Sequence, residues 1–301
     1  MKFAIFQESR TGGRKYNQDR VGYVYSRDAL FMIVADGMGG HARGELAAQI
    51  TVETMARRFQ REATPVLVNP SGFLHTAINA AHNAILAHAE KNGMIETPRT
   101  TVVAAVIQKG SACWAHVGDS RLYLLRAGQI AAQTIDHSHV QQMFTQGLIR
   151  AEAMATHPER NKIYNCLGAH VPPRVDVSVK HALLSGDTLL LCSDGLWGPL
   201  PAHLLAGAFT CDPLAKAVPA ILTQAEQRAG SDADNLTALA MTWDEGETAT
   251  DHVSTVMLAP GEFNAQMDAG AAAAVVDMSD DDIEKAIADI KSALAKTNRP
   301  Q

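Results

Sequence analysis

Cysteine is scarce in this sequence: four in 301 residues (Cys113, Cys166, Cys192 and Cys211), with no two in a CxxC pair. That excludes a zinc finger and a disulfide framework, and Cys113 and Cys192 sit in apolar stretches where a free thiol packs as a small hydrophobe. Long apolar runs are missing too. Ala29–Ala35, Val102–Ile107 and Thr188–Cys192 fall far short of the ~20 residues needed to cross a bilayer, and the apolar part of "MKFAIFQESR" is too short for a secretory signal. The expectation is a cytoplasmic chain without a membrane partner. A basic block is also absent. Residues 1–244 carry 22 Lys+Arg and 21 Asp+Glu, a net of +1, whereas 245–301 carry 4 and 11, a net of −7. A near-neutral body offers nucleic acid no electrostatic footprint.

What is present is apolar residues, 47% of the chain, enough for a sizeable core. Strand-like runs come at Phe3–Gln7, Val21–Tyr25, Phe31–Ala35, Val102–Ile107, Ala112–Val117, Leu122–Leu125, Val175–Val179, Thr188–Cys192 and Leu236–Thr242. The cluster between 101 and 134 reads as an antiparallel meander. Leu74, Ile78, Ala81 and Ile85 share one face of a helix, and 44–60 and 212–229 have helical length and composition. The class is α+β, with helices packed outside antiparallel sheets. After Trp243 the texture turns to Gly, Ala, Thr and acid. We read 1–244 as the one large domain, 245–278 as a linker, and 279–298 as an amphipathic helix. In that last segment Ser279 is the N-cap, Asp280 to Asp282 lie on the first turn, and Ile283, Ile287, Ile290 and Leu294 form the stripe.

Apolar runs ending in an acid and a small residue recur: "FMIVADGMGG" at Asp36, "WAHVGDSR" at Asp119 and "LLLCSDGLW" at Asp194. Asp19 in "RKYNQD" and Asp234 in "SDADNLTAL" sit in polar turns. Carboxylates fixed at strand ends and converging on one place repel one another unless cations neutralise them. An oxygen-only ligand set favours Mg²⁺ or Mn²⁺ over Zn²⁺. Gly37 and Gly195 each follow an Asp, and a glycine backbone can approach an ion closely. Arg14, near Asp19, has the fork to hold a phosphate bidentately.

The series "RKYNQD", "VADGMGGH", "TTVVAAV", "HVGDSRLYLLR", "DHS", "LLLCSDGLW" and "DADNLTAL", in order over residues 1–243, resembles the PPM family of metal-dependent protein Ser/Thr phosphatases (type 2C) in its bacterial form. The resemblance implies an α-β-β-α sandwich of two antiparallel sheets flanked by helices. It also implies a binuclear Mn²⁺ or Mg²⁺ centre that hydrolyses phosphoserine and phosphothreonine by attack of a metal-bridging hydroxide, without a phosphoenzyme. Carried over, Asp36 would bridge the two metals, Gly37 would give one its carbonyl, and Asp194 and Asp234 would hold the other. Asp19 would hydrogen-bond metal waters, Arg14 would bind phosphate, and Asp119 with Asp194 would hold a third, weaker ion. Asn235 would support Asp234 from behind. Met38 stands where many eukaryotic members have a histidine proposed as general acid, so the expected proton donor is a metal-bound water rather than His41. Ser138–Leu167 matches the family's flap, where substrate preference would be set. The implied partners are phosphorylated proteins and a cognate Ser/Thr kinase with its substrates.

Blander readings stand beside these. A lone Asp-Gly is usually a turn, and only the ordered set reverses that. Asp119 is either a hairpin residue paired with Arg121 or the third-metal ligand. Arg14 as a plain surface charge is the weaker alternative, given its offset from Asn17 and Asp19. His41, His116, His137 and His139 form no known ligand arrangement and read as packing or hydrogen-bonding residues. Ser138 has no base to make it a nucleophile. The last helix either covers its own domain or recruits a partner, and Thr248, Thr250, Ser254 and Thr255 are the tail's phosphorylatable hydroxyls. Two functional rivals remain. One is a catalytically silent binding module, against which the joint presence of Arg14 and the acids argues. The other is a small-molecule phosphoesterase.

Overall fold

The structure, a computed structural model, describes residues 1–38, 43–154 and 156–244. The expected linker and last helix, with His41, lie outside the described residues. Strands β1 (Lys2–Arg10), β2 (Arg20–Tyr25) and β3 (Ala29–Ala35) precede helices α1 (Gly44–Glu62) and α2 (Pro70–Lys91). Next come β4 (Val102–Gln108), β5 (Ser111–Val117), β6 (Arg121–Arg126) and β7 (Gln129–Gln133). Short helices α3 (His139–Thr145) and α4 (Ala151–Met154) and two-residue strands β8 (Asp176–Val177) and β9 (His181–Ala182) lead to β10 (Thr188–Cys192). Helices α5 (Asp194–Trp197), α6 (Ala202–Gly207) and α7 (Leu214–Ala229) precede the last described strand, β11 (Leu236–Asp244).

The strands form two antiparallel sheets, one ordered β1-β11-β10-β6-β7 and the other β2-β3-β4-β5-β8, with β9 also on β5. The continuous apolar runs have a simple cause: both faces of the inner strands are covered. In β3, Leu30, Met32 and Val34 point to the other sheet and meet Leu122, Leu124, Leu189, Leu191 and Met241. Phe31 and Ile33 alternate to the outer face, under Met55 and Phe59 of α1 and Phe73 and Ile78 of α2. Leu190, Cys192, Ala238 and Ala240 bury the other outer face against Leu214, Val218, Ile221 and Leu222 of α7. Three apolar layers thus hold an α-β-β-α sandwich together.

Three details depart from the sequence reading. The meander over 101–134 is divided, because β4 and β5 belong to one sheet and β6 and β7 to the other. The chain crosses at Gly118, whose φ is +105° and where an added Cβ would lie 2.6 Å from the Thr101 side chain. The run Val175–Val179 yields only two paired residues, since only Asp176 and Val177 find partners on β5, and Val179 is exposed. Strands β7 and β9 were not expected; one is half-exposed and the other two residues long, so neither carries a strong apolar signal.

Candidate metal centre

Strand direction brings the acids together. Ala35, Val117 and Cys192 end strands at the same edge of the sandwich where Arg20 and Leu236 begin theirs. Asp36, Asp119 and Asp194 therefore follow β3, β5 and β10, while Asp19 and Asp234 stand just before β2 and β11. Arg14 lies in the β1–β2 connection. Asp19 and Asp119 are buried; Asp36, Asp194 and Asp234 are half-buried, open on one side.

A frame of neutral hydrogen bonds fixes them. Ser193 donates its hydroxyl to Asp19 Oδ2 (2.7 Å) and accepts from the Thr237 amide (3.0 Å). Thr100 donates to the Asp36 carbonyl (2.8 Å), and the Asp36 amide donates to Thr101 Oγ1 (3.2 Å), which also pairs with the Ser120 hydroxyl (2.7 Å). The Asn235 carboxamide accepts from the Gln18 amide (2.8 Å) and donates to the carbonyls of Thr11 (2.9 Å) and Tyr16 (3.0 Å), lacing the loop that carries Arg14 and Asp19 to the start of β11. Gly37 is hemmed in by backbone. A Cβ there would lie 2.5 Å from Gly44 and 2.7 Å from the Gln18 carbonyl. These hydroxyl and carboxamide supports escaped sequence reading except Asn235; the only available signal was the polar residue next to each acid, as in Ser193-Asp194.

Electrostatics shows how tightly the acids are gathered. Burial, reinforced by the Asp234 charge, raises Asp19 to about 6, and burial with Asp234 and Asp19 raises Asp194 to about 7. Asp36 is pushed well above the carboxylate range by burial and then by Asp19, Asp194, Asp119 and Asp234 together. Asp119 rises likewise through burial, Asp194 and Asp136. The Asp19 Oδ1 atom is buried with no hydrogen-bond partner among the described residues. An orphaned carboxylate oxygen among crowded acids is the donor set a hard divalent ion suits, so the residues fit such a group.

Two placements refine the sequence expectations. Arg121 gives its fork to Asp136 (2.8 and 2.7 Å) and stacks 3.5 Å over the Trp197 ring, so the alternative pairing of Arg121 with Asp119 does not occur. Trp197 Nε1 donates to the Asp119 carbonyl (3.0 Å). Arg14 is half-exposed and grips both Asp234 oxygens (2.9 and 2.7 Å), so it reaches the centre by pairing with one of its acids.

A second cluster, His116, His137 and Asp176, brings one ligand-type atom each within 4.8 Å. Its geometry serves hydrogen bonding instead. His137 Nδ1 accepts from the Gly118 amide (3.1 Å), and its Nε2 lies 3.2 Å from Asp176 without making a hydrogen bond among the described residues. His116 Nε2 lies 2.8 Å from the Ile135 carbonyl, and the two rings stack at 4.6 Å and 19°. Lone pairs in near-parallel stacked rings do not converge on one ion. His116 and His137 thus stack on each other, each with one ring nitrogen in a hydrogen bond to backbone.

A family model described as Protein phosphatase 2C matches residues 7–237. The chain belongs to the protein phosphatase 2C family. Arg14, Asn235 and all five acids fall inside the matched span. The chain is 32% identical over 240 residues to the serine/threonine phosphatase stp of Listeria welshimeri, covering 78% of this chain and 94% of that one. The crystal structure of Stp1 from Staphylococcus aureus superposes with a TM-score of 0.75 at 27% identity, covering 81% and 96% of the two chains. The catalytic domain of PstP in complex with 2 manganese ions gives 0.67 at 29% identity, covering 80% and 97%. Among the described residues, no helix of this phosphatase 2C chain is long and apolar enough to cross a membrane.

Proposed function

We propose that the acid cluster is the catalytic centre of a metal-dependent protein serine/threonine phosphatase, with phosphoproteins as substrates. Family membership and the stp and PstP likenesses support the activity. The observation that carries the site is the gathering of five carboxylates from five connections at one edge of the sandwich, with Asp19 Oδ1 unpartnered. Asp36, Asp194, Asp234 and the Gly37 carbonyl would hold two Mn²⁺ or Mg²⁺ ions, with Asp19 beside them and Asp119 toward a third. Bound there, such ions supply charge neutralisation and a water acidic enough to attack phosphorus near neutral pH.

The chain's own residues do the rest. Asp36 and Asp194 stand on rigid strand ends and orient what they hold with little motion. The Arg14 fork, which fits a carboxylate in the Asp234 pair, fits two equatorial phosphate oxygens equally well; Arg14 would release Asp234 as substrate enters. Asn235 keeps Arg14 and Asp19 in register with Asp234. Met38, whose amide donates to the Arg99 carbonyl (3.0 Å), offers no proton to a leaving alkoxide. A phosphoserine or phosphothreonine substrate presupposes an ATP-consuming kinase to make it, so we place the enzyme in the cytoplasm opposite a cognate Ser/Thr kinase.

Asp36→Asn is the direct test. Loss of Mn²⁺-dependent hydrolysis of both p-nitrophenyl phosphate and a phosphothreonine peptide, with the fold intact by circular dichroism, is expected. Undiminished turnover would refute the site, and turnover of phosphometabolites far above that of phosphopeptides would refute the protein substrate.

A further inference from the structure

Strand β11 begins at the acid cluster and ends at Asp244, nine residues away. At roughly 3.3 Å per residue this is a span of about 30 Å, so the chain beyond 244 leaves from the end of the sandwich opposite the catalytic centre. That exit has identifiable neighbours. Ser185 Oγ lies 3.5 Å from Asp244 Oδ1, the Gly186 amide donates to the Trp243 carbonyl (2.9 Å), and the Leu183 amide donates to the Gly110 carbonyl (3.0 Å). Tail exit and β4–β5 turn are therefore adjacent.

Beside that turn is a cavity of about 410 Å³, lined by Val66, Val68 and Cys113 and flanked by Lys109 and Lys180. It is a built feature. The Gln108 carboxamide clamps the Leu67 backbone through both its amide (3.0 Å) and its carbonyl (2.8 Å), fixing the wall that presents a fully exposed Val68. Lys109 and Lys180 are exposed and pair with no carboxylate among the described residues. An apolar hollow between two lysines calls for an occupant that is apolar on one side and acidic at one end.

The chain supplies one. Residues 245–301 carry a net −7, and within them 279–298 combines Asp280, Asp281 and Asp282 with the spaced Ile283, Ile287, Ile290 and Leu294. A linker of 34 residues, the length of 245–278, reaches about 30–35 Å root-mean-square by chain statistics, enough to return to a cavity next to its origin. A tether of that kind holds its end at roughly millimolar effective concentration. We propose that residues 279–298 dock as an amphipathic helix into this cavity of their own domain, the Ile/Leu stripe on Val66 and Val68 and the first-turn aspartates on Lys109 and Lys180. The docked helix sits at the far end from the acid cluster and leaves the catalytic mouth open.

Hydrogen exchange on the full chain tests this. Ile287→Asp/Ile290→Asp and, separately, Lys109→Glu/Lys180→Glu are each expected to speed exchange at least tenfold both over 66–71 and 109–113 and over 283–294. Hydrolysis of p-nitrophenyl phosphate should be unchanged. Adding Asp280→Lys/Asp281→Lys to the lysine variant should restore protection. Exchange in the variants equal to the parent at either segment overturns the proposal. So does protection that vanishes on dilution with a halving of mass, which would mean tails exchanged between two copies. Protection appearing only when another protein is added assigns the cavity to that protein and overturns it as well.

Discussion

Asn235→Ala removes one acceptor and two donor functions from a buried carboxamide whose partners are all backbone: the Gln18 amide and the Thr11 and Tyr16 carbonyls. Each such bond is worth about 1 kcal/mol net, and more where a partner is left buried and unpaired. The expected loss is about 2–4 kcal/mol. With a urea slope of roughly 2–3 kcal/mol/M for a domain of this size, the unfolding midpoint should fall by ~1 M at a fixed Mn²⁺ concentration, which must be held constant because a bound ion adds to apparent stability. The same bonds hold the loop bearing Arg14 and Asp19, so kcat/KM should fall at least tenfold under conditions where the variant is still folded. Asn235→Asp keeps the acceptor for Gln18 but loses both donors and adds a charge beside crowded acids, so it should be no better than alanine. A midpoint within experimental scatter of the parent, together with unchanged kcat/KM for Asn235→Ala, would refute the view that this residue laces the site.

Arg14→Ala should separate two roles: KM for a phosphothreonine peptide rises tenfold or more, while the Mn²⁺ concentration giving half-maximal activity stays equal or falls, because Asp234 is released from the guanidinium; a higher Mn²⁺ requirement would show that Arg14 supports the ion site rather than the phosphate. Burial lowers His82 from its ordinary 6.5, and its Nδ1 accepts from the Gly168 amide at 3.2 Å, so the folded protein holds it neutral while the unfolded chain takes up a proton. Stability from this group is therefore full above pH 6.5 and declines as pH falls below it, with a slope of at most about 1.4 kcal/mol per pH unit. Chemical denaturation of the parent and His82→Gln between pH 7.5 and 5 should show a shallower acid decline in the variant; parallel curves would remove His82 from the account.

Much of this was legible because three of the five clustered acids end apolar runs. A strand buried on both faces must be apolar throughout, as all seven residues of β3 are, so the first carboxylate after it marks the strand's end and the solvent edge at once. Asp36, Asp119 and Asp194 could be found that way, α2 by its period, and α1 and α7 by their length and composition. What stayed hidden depends on contacts between segments far apart. That β4–β5 and β6–β7 lie in different sheets turns on the crossing at Gly118, and local pattern cannot show it. That Arg121 pairs with Asp136 rather than Asp119 depends on how β6 meets the segment after β7. Ser193 and Thr101 are ordinary hydroxyls in sequence and become supports only once the ends of β10, β3 and β11 converge around them.

The hidden part also explains why the legible part needs a cation. Around Asp19, Asp36 and Asp194 the supporting side chains are hydroxyls and a carboxamide, none of which carries charge. They hold the acids close without neutralising them, and Arg14, on the exposed rim, makes its close ion pair with Asp234 and acts on Asp194 and Asp36 only from a distance. A fold that wanted these acids quiet could have placed lysines or arginines among them, as it does where Arg126 meets the buried Asp187. Instead the repulsion is left standing, and burial together with it carries Asp194 to about 7. A rigid neutral frame around unneutralised carboxylates stores a preference for divalent charge, and binding such charge returns that energy as affinity.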